Sequence, residues 1–254
     1  MSDNHNHNEK NGICNEGRIS RGFEDSRRNK FDNHSQRLSQ KEEVGRSRGG
    51  SRNVAATEFL RGYEKSDFQK QEERLFEYAR KNNCWFDVES IEQEFGSEIF
   101  DILKDEYGAN APAPGAEACI YQYDENNLLK VMRYNVFDTK PLGFLDNRIA
   151  LHNHLFPGTF YELIGFCRNK YGKFCFVLKQ PYIKGTEPTE TEIYNEMIQR
   201  GFSQDYVEDT TYKSDHYIIK DLHTGNFIKS ENGQMYCIDP APSLNFVNRT
   251  YNNI

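Results

Sequence analysis

The sequence has little of what is needed to cross a membrane or cross-link a fold. Among 254 residues there is one tryptophan, mean hydropathy is −0.87, and no apolar run approaches the roughly 18 residues that mark a transmembrane helix. No basic-then-apolar leader opens the chain, so the sequence reads as cytoplasmic, with no membrane partner. The six cysteines, Cys14, Cys84, Cys119, Cys167, Cys175 and Cys237, contain no CxxC pair and are expected to be reduced thiols. Cys119, Cys175 and Cys237 sit in apolar, strand-like runs and read as small core residues. No GxxxxGK[ST], HExxH or GxSxG occurs, which excludes a P-loop, a zinc-protease helix and a nucleophile elbow.

Charge is unevenly divided. Residues 1–56 carry 11 Lys and Arg against 8 Asp and Glu, with almost no large apolar side chains. Such a segment buries too little apolar surface to offset its ordering entropy, so it is expected to be a disordered low-complexity tail. The remaining residues carry 21 basic against 31 acidic side chains and hold nearly all the Phe and Tyr. An acidic body of that kind argues against nucleic acid as a partner, which would call for a basic face.

Residues 57–110 read as a helical extension. Phe68, Leu75, Phe76 and Ala79 fall near one helical face, and Val88, Ile91 and Phe95 repeat the pattern. Trp85-Phe86 between them reads as a buried aromatic pair. After an Ala/Pro linker at 109–114 the period changes to two. Residues 118–123 and 128–134 read as a hairpin, 141–156 as a helix, and 161–168 with 173–178 as a second hairpin turning at Lys170-Tyr-Gly172. Residues 180–185 form a connector. A Thr189-x-x-Glu192 capping box then starts a helix that ends before Gly201. Short strands surround 221–226, and the last pair turns at Glu231-Asn-Gly233. The boundaries that follow are 1–56, 57–110, 111–183 and 184–254.

The residues that carry chemistry lie late in the chain. Asp221-Leu-His-Thr-Gly-Asn226 sits on a loop between β-prone runs, and Ile238-Asp239 ends the next apolar strand. Phosphoryl transfer uses such a set: one carboxylate takes or orients the proton of the attacking hydroxyl, an Asn oxygen and a second carboxylate hold Mg²⁺ against the phosphates, and an upstream Lys offsets charge. Lys130 in Leu128-Leu-Lys-Val-Met fits the last part, because a Lys inside an apolar strand costs burial unless its ammonium finds an acid or a phosphate. Gly115-Ala-Glu117 precedes that hairpin and offers a shortened phosphate-covering turn. The bland alternative for 221–239 is a Gly-containing turn followed by a strand and an Asp turn cap.

Together, Gly115-x-Glu117, Leu-Lys130, His152-Asn153, Leu155-Phe156-Pro157, Tyr161, Gly165-Phe166, Leu178-x-Gln180-Pro-Tyr182, Asp221-Leu-His-x-x-Asn226 and Ile238-Asp239-Pro240 resemble the small kinase-like domain of polyvalent proteins from bacterial mobile elements and phages. The resemblance runs from about Glu72 to Ala241. More distantly, Asp-Leu-His-x-Gly-Asn is similar to the loop of aminoglycoside and choline phosphotransferases. The resemblance implies an α+β, protein-kinase-like two-lobed fold with a minimal C-lobe and an N-terminal helical extension. It also implies ATP and Mg²⁺ as cofactors and a protein or small-molecule hydroxyl as acceptor. Asp221 would be the catalytic base, Asn226 and Asp239 the metal ligands, and Lys130 the contact to the α/β-phosphates. Gln180 to Tyr182 would be the hinge that offers backbone groups to adenine.

The sequence departs from that pattern in several places. Ile219-Lys220 replace the usual His-Arg or His-Gly, Pro240 follows Asp239 where kinases carry Phe-Gly, and the helix after Lys130 holds no Glu. Asp146 is the acid well inside that helix and the expected, shorter partner of Lys130. A pseudokinase that binds nucleotide or protein without transfer is the competing expectation.

Overall fold

A computed structural model describes residues 49–63, 67–99, 118–136 and 140–246. Two N-terminal helices come first, α1 (Gly49–Leu60) and α2 (Phe68–Lys81). Helix α2 starts where the Asp67 carboxylate accepts the Lys70 N–H at 2.9 Å, and it ends on Arg80 and Lys81, so both helix ends carry favourable charge. The expected tail boundary at residue 56 falls inside α1. Ala56 and Leu60 are fully buried there, and the Asn53 side chain bridges Tyr161 O and Leu163 N, so packing and hydrogen bonding order this stretch despite its composition.

Strand β1 (Trp85–Phe86) and helix α3 (Val88–Phe95) follow, then β2 (Ala118–Gln122), β3 (Asn127–Arg133), β4 (Glu162–Arg168) and β5 (Phe174–Pro181). These build one sheet in the order β1-β4-β5-β3-β2, with β1 parallel to β4 and the other neighbours antiparallel. The period of two sorts the two faces. Phe174, Phe176 and Leu178 join Leu75, Phe144 and Phe166 in one cluster, while Cys175 and Val177 join Ile91, Leu129 and Val131 in another. Trp85 packs edge-on against Phe76 at 4.7 Å, so the Trp85-Phe86 pair belongs to the core. Gly165 makes β1 possible: a Cβ there would lie 2.2 Å from the Cys84 carbonyl oxygen. Strand β5 continues through Gln180 and Pro181, which pair with Leu128 and Asn127, so the expected connector begins later than 180.

Between β3 and β4 the chain is helical from 141 to 155, here called α4. It consists of an α turn at Pro141–Gly143, a π-helix at Phe144–Leu151 and an α turn at His152–Leu155. A π-helical insertion of this kind often accompanies a functional site.

The C-terminal part holds α5 (Glu190–Gln199) and the strands β6 (Ser203–Gln204), β7 (Tyr212–Lys213), β8 (Tyr217–Lys220), β9 (Phe227–Lys229), β10 (Met235–Cys237) and β11 (Ala241–Leu244). Helix α5 carries the capping box of Thr189 with Glu192, and Gly201 just beyond it has φ +85. Strands β9 and β10 pair around a turn whose Gly233 has φ +83. The other four strands form a sheet in the order β11-β8-β7-β6. Its edge strand β11 packs against the π-helical part of α4. The molecule is therefore mixed α and β, with sheets and few helices. One cysteine departs from expectation: Cys119 is exposed, because it lies near the start of edge strand β2, where no further strand covers it.

Candidate functional site

The Lys, Asp and Asn residues singled out in the sequence meet where the five-stranded sheet faces the C-terminal strands. Lys130 lies mid-way along β3, opposite Ile120 of β2 and Leu178 of β5, and only 4 % of it is exposed. Its ammonium stands 3.9 Å from Asp239 Oδ2 and 5.6 Å from the centre of the Tyr161 ring. Asp239 follows β10. The pairing of β9 with β10 sets Phe227 opposite Cys237, and Ile238 N donates to Asn226 O at 2.9 Å, so Asn226 and Asp239 emerge at one end of a hairpin.

Asp239 is gripped from the other side as well. Arg148, from the π-helical part of α4, is 1 % exposed. Its Nη2 donates to Asp239 Oδ1 at 2.5 Å, and its Nη1 donates to the Pro240 carbonyl. The Tyr161 hydroxyl lies 2.8 Å from the same Oδ1 and 3.0 Å from Ile238 O. Burial by itself would raise the Asp239 pKa, but the Arg148 guanidinium, Lys130 and the Tyr161 hydroxyl outweigh it and hold the carboxyl below its ordinary value. Burial raises the Tyr161 phenol well above its usual value, so it stays a neutral donor.

Asp221 ends β8 with φ +65, a left-handed conformation that costs a non-glycine residue energy and persists only when its surroundings enforce it. Here Asn226 Nδ2 donates to Asp221 O at 2.8 Å and to Asp221 Oδ2 at 3.0 Å, while Leu222 N donates to Thr210 O at 2.9 Å. Gly225 N donates to His223 Nδ1 at 3.1 Å, which places the ring proton on Nε2, 3.5 Å from Asp221 Oδ1. The side chain of Asp221 is 43 % exposed, open to an incoming hydroxyl.

Asn226 spends its N–H groups on Asp221, so its carbonyl oxygen is the part left for a cation. Among the described residues no group of three His, Cys, Asp or Glu side chains could hold a metal. The donors present are one amide oxygen and Asp239 Oδ2. That set fits Mg²⁺ carried in by phosphates, which is commonly held through one or two protein oxygens, and does not fit a protein-only metal site.

An apolar cleft adjoins Lys130, lined by Ile99, Ile120, Leu128, Tyr182, Ile228 and Ile238. Ile99, from the N-terminal extension, is buried against Ile120, Leu128 and Tyr182, and Glu98 Oε1 accepts the Ile120 N–H at 2.9 Å. The extension thus wraps the β2 edge and supplies a wall of the cleft, which the helical periodicity alone did not indicate.

Three expected roles change. Asp146 is exposed, and the group facing Lys130 is Asp239; the cation Arg148, two residues on, lies among the buried side chains of α4 and bonds to that same carboxylate. Gln180 is a buried brace, its Nε2 donating to Thr159 O at 3.0 Å and Ile238 O at 2.8 Å. Tyr182 N already donates to Asn126 O at 2.7 Å, so Tyr182 brings its ring, not its N–H, to the cleft. Gly115 and Glu117 lie outside the described residues. Arg148 and Tyr161 were not assigned roles from the sequence. The available signal for Arg148 was a cation set in the apolar helical run Phe144 to Leu151, which is costly unless it is paired.

Residues 68–245 match the family described as Serine/Threonine/Tyrosine Kinase found in polyvalent proteins. The chain belongs to that family. No curated protein matches it. Membership in this polyvalent-protein kinase family makes the chain a kinase-like phosphotransferase at the coarse level. It also gives Lys130, Asp221, Asn226 and Asp239 a common context, since all four lie within the matched residues.

Proposed function

We propose that the protein is an ATP- and Mg²⁺-dependent phosphotransferase that moves the γ-phosphate to a hydroxyl of a protein or small molecule, within a two-lobed arrangement whose C-lobe is minimal. The observation that carries this reading is that Lys130, which lines the apolar cleft, pairs with Asp239, whose hairpin also carries Asn226 and its bond to Asp221.

The apolar walls suit a flat base, and Lys130 then faces the phosphates. Mg²⁺ bound with the nucleotide, through Asn226 and Asp239, would offset negative charge on those phosphates. Asp221 accepts the proton of the acceptor hydroxyl as its oxygen bonds to the γ-phosphorus and the bridging oxygen leaves with ADP. His223, 3.5 Å from Asp221 Oδ1, and Asn226 hold that carboxylate in place. The strained backbone at Asp221 fits a catalytic position, since such strain is retained where geometry matters to chemistry.

The test is incubation with γ-labelled ATP and Mg²⁺, with and without a lysate. Label on protein or small molecule, lost in Asp221→Ala while nucleotide binding persists, is the expected result. Absence of label under every condition sinks the transferase. A second reading, a nucleotide-binding pseudokinase, is favoured by one observation: Asp239 Oδ1 is already engaged by Arg148 and Tyr161. It predicts a thermal shift with ATP and no label.

A further inference from the structure

We infer that Arg148 is a positioning residue that neutralises Asp239 from within the fold, so that Lys130 captures nucleotide phosphates without a metal ion. This inference rests on the nucleotide reading above. It separates metal-free binding, set by the chain's own charges, from transfer, which keeps its need for Mg²⁺.

Among the described residues three ionic groups meet here: the carboxylate of Asp239, the ammonium of Lys130 at 3.9 Å and the guanidinium of Arg148 at 2.5 Å. Two cations face one anion, so the cluster carries an excess positive charge in a nearly dry setting, where each charge acts over a longer range than in water. The two cations are held differently. Arg148 donates to both Asp239 Oδ1 and the Pro240 carbonyl, and helix α4 covers it almost completely. It cannot reach a ligand. Lys130 stands at ion-pair distance from Oδ2, beyond hydrogen-bond range, and lines the cleft, so its ammonium can move to a phosphate.

Without Arg148, an anion arriving at Lys130 would meet the uncompensated carboxylate of Asp239, and a divalent cation would be needed to mask it. With Arg148 in place that masking is built in. The bond to Pro240 adds a second effect. It ties the backbone just after Asp239 to α4, and β11, which follows, packs on that helix and pairs with β8, setting Ala241 opposite Lys220. The Asp239 carboxylate is thereby fixed toward Lys130 before any ligand arrives.

A helix Glu would pair with the strand Lys and leave the second Asp free for metal. Here the helix supplies a cation, and Asp239 serves as the counter-ion of both Lys130 and Arg148. The inversion explains why the helix after β3 needs no acid in contact with Lys130.

The experiment measures ATP affinity by calorimetry on the full chain in excess EDTA and in excess Mg²⁺, with circular dichroism and melting to confirm folding. For the wild type, affinity in EDTA is expected within about tenfold of that in Mg²⁺. In Arg148→Met, affinity in EDTA is expected to fall by roughly a hundredfold while affinity in Mg²⁺ changes far less, so the ratio opens. The double variant Arg148→Met with Asp239→Asn removes the unmasked charge and is expected to close the ratio again. A merely structural role for Arg148 would lower both affinities together and give no such rescue. If Arg148→Met fails to fold, Asp239→Asn alone decides: it is expected to leave EDTA affinity unchanged or tighter. Wild-type binding that appears only with Mg²⁺ overturns the inference, as does EDTA affinity lost in Asp239→Asn. Binding under neither condition instead overturns the nucleotide reading itself.

Discussion

The five-stranded sheet and the C-terminal strands each close on a buried apolar cluster, but they differ in strand length and in how much polar pairing surrounds that cluster. Apart from the two-residue β1, the sheet carries strands of five to eight residues, and it has a dense aromatic interior in which Phe144 and Phe176 stack at 4.6 Å and Phe166 lies 5.3 Å from Phe176. The C-terminal strands are only two to four residues long. They pack around a smaller cluster that includes Ile193, Met197, Tyr212, Ile219 and Phe227, and they add turns, a helix cap and ion pairs such as Lys213 with Asp205, Lys220 with Glu208 and Lys229 with Glu192. Apolar packing is non-directional and tolerates long-range assembly, whereas polar pairing fixes individual side chains. The half with short strands and more polar pairing supplies Asp221, Asn226 and Asp239; the half with long strands and the aromatic interior supplies one buried Lys and, from α4, the Arg bonded to Asp239.

That contrast can be broken from either side. The largest effect is expected at Asp221→Asn. Loss of a positioned general base costs about a hundred- to ten-thousand-fold in rate, and the folded state should be spared because Asn accepts a left-handed backbone. Phosphate transfer and urea midpoint, measured on the same preparation, would reveal either a retained rate or a collapsed fold, and each would contradict the division. The sheet should answer in the opposite sense. Phe176→Ala removes a fully buried ring at the centre of the aromatic cluster and should cost about 3–5 kcal/mol of stability, read from urea unfolding.

A third test falls at the junction. His152 is fully buried, its Nε2 2.7 Å from Thr159 O and its ring stacked 4.3 Å from Tyr161. Burial is the chief reason its pKa drops from 6.5 to about 3. The unfolded imidazole therefore binds a proton at a higher pH than the folded one does. The stability contribution is complete above the unfolded value and falls as pH drops below it, by up to about 1.4 kcal/mol per unit. Denaturation midpoints between about pH 7.5 and pH 5.5 should show this slope, and His152→Gln should flatten it. A slope unchanged in that variant would mean another group titrates.

Smaller still is Thr189→Ala, which removes the cap at 3.3 Å from Glu192 N and should cost about 1 kcal/mol in melting experiments. The smallest effect is expected at Asp205→Asn. The pair with Lys213 is half-buried and within reach of solvent, so salt screens part of it, and Asn can still accept the Val207 and Glu208 N–H groups. A large drop in midpoint there would show that this ion pair is worth more than its exposure allows.

Much of the sheet was legible in the sequence because alternation and turn residues are local signals. The hairpin at Lys170-Tyr-Gly172 is an example, with φ +70 at Gly172, as is the capping box at Thr189. The start of α1 was not legible. A segment rich in Gly, Ser and Arg gives no periodic signal, and its order comes from bonds such as Arg52 Nη1 to Ile164 O, 112 residues away. The role of Ile99 was hidden for the same reason, since its partners lie on β2, β3 and beyond β5.

Spacing along one loop and one hairpin was enough to single out Asp221, Asn226 and Asp239 as candidates, and a Lys in an apolar strand announces a buried charge. Only the tertiary structure decided what each charge faces. Asp146 looked like the partner of Lys130, yet Asp239 takes that place and Arg148 stands behind it. The physical reason is that an ion pair depends on distance and burial in three dimensions. Two positions apart on a helix, Asp146 and Arg148 point to nearly opposite sides, and the packing of α4 against β11 and the aromatic cluster makes the Arg148 side the buried one.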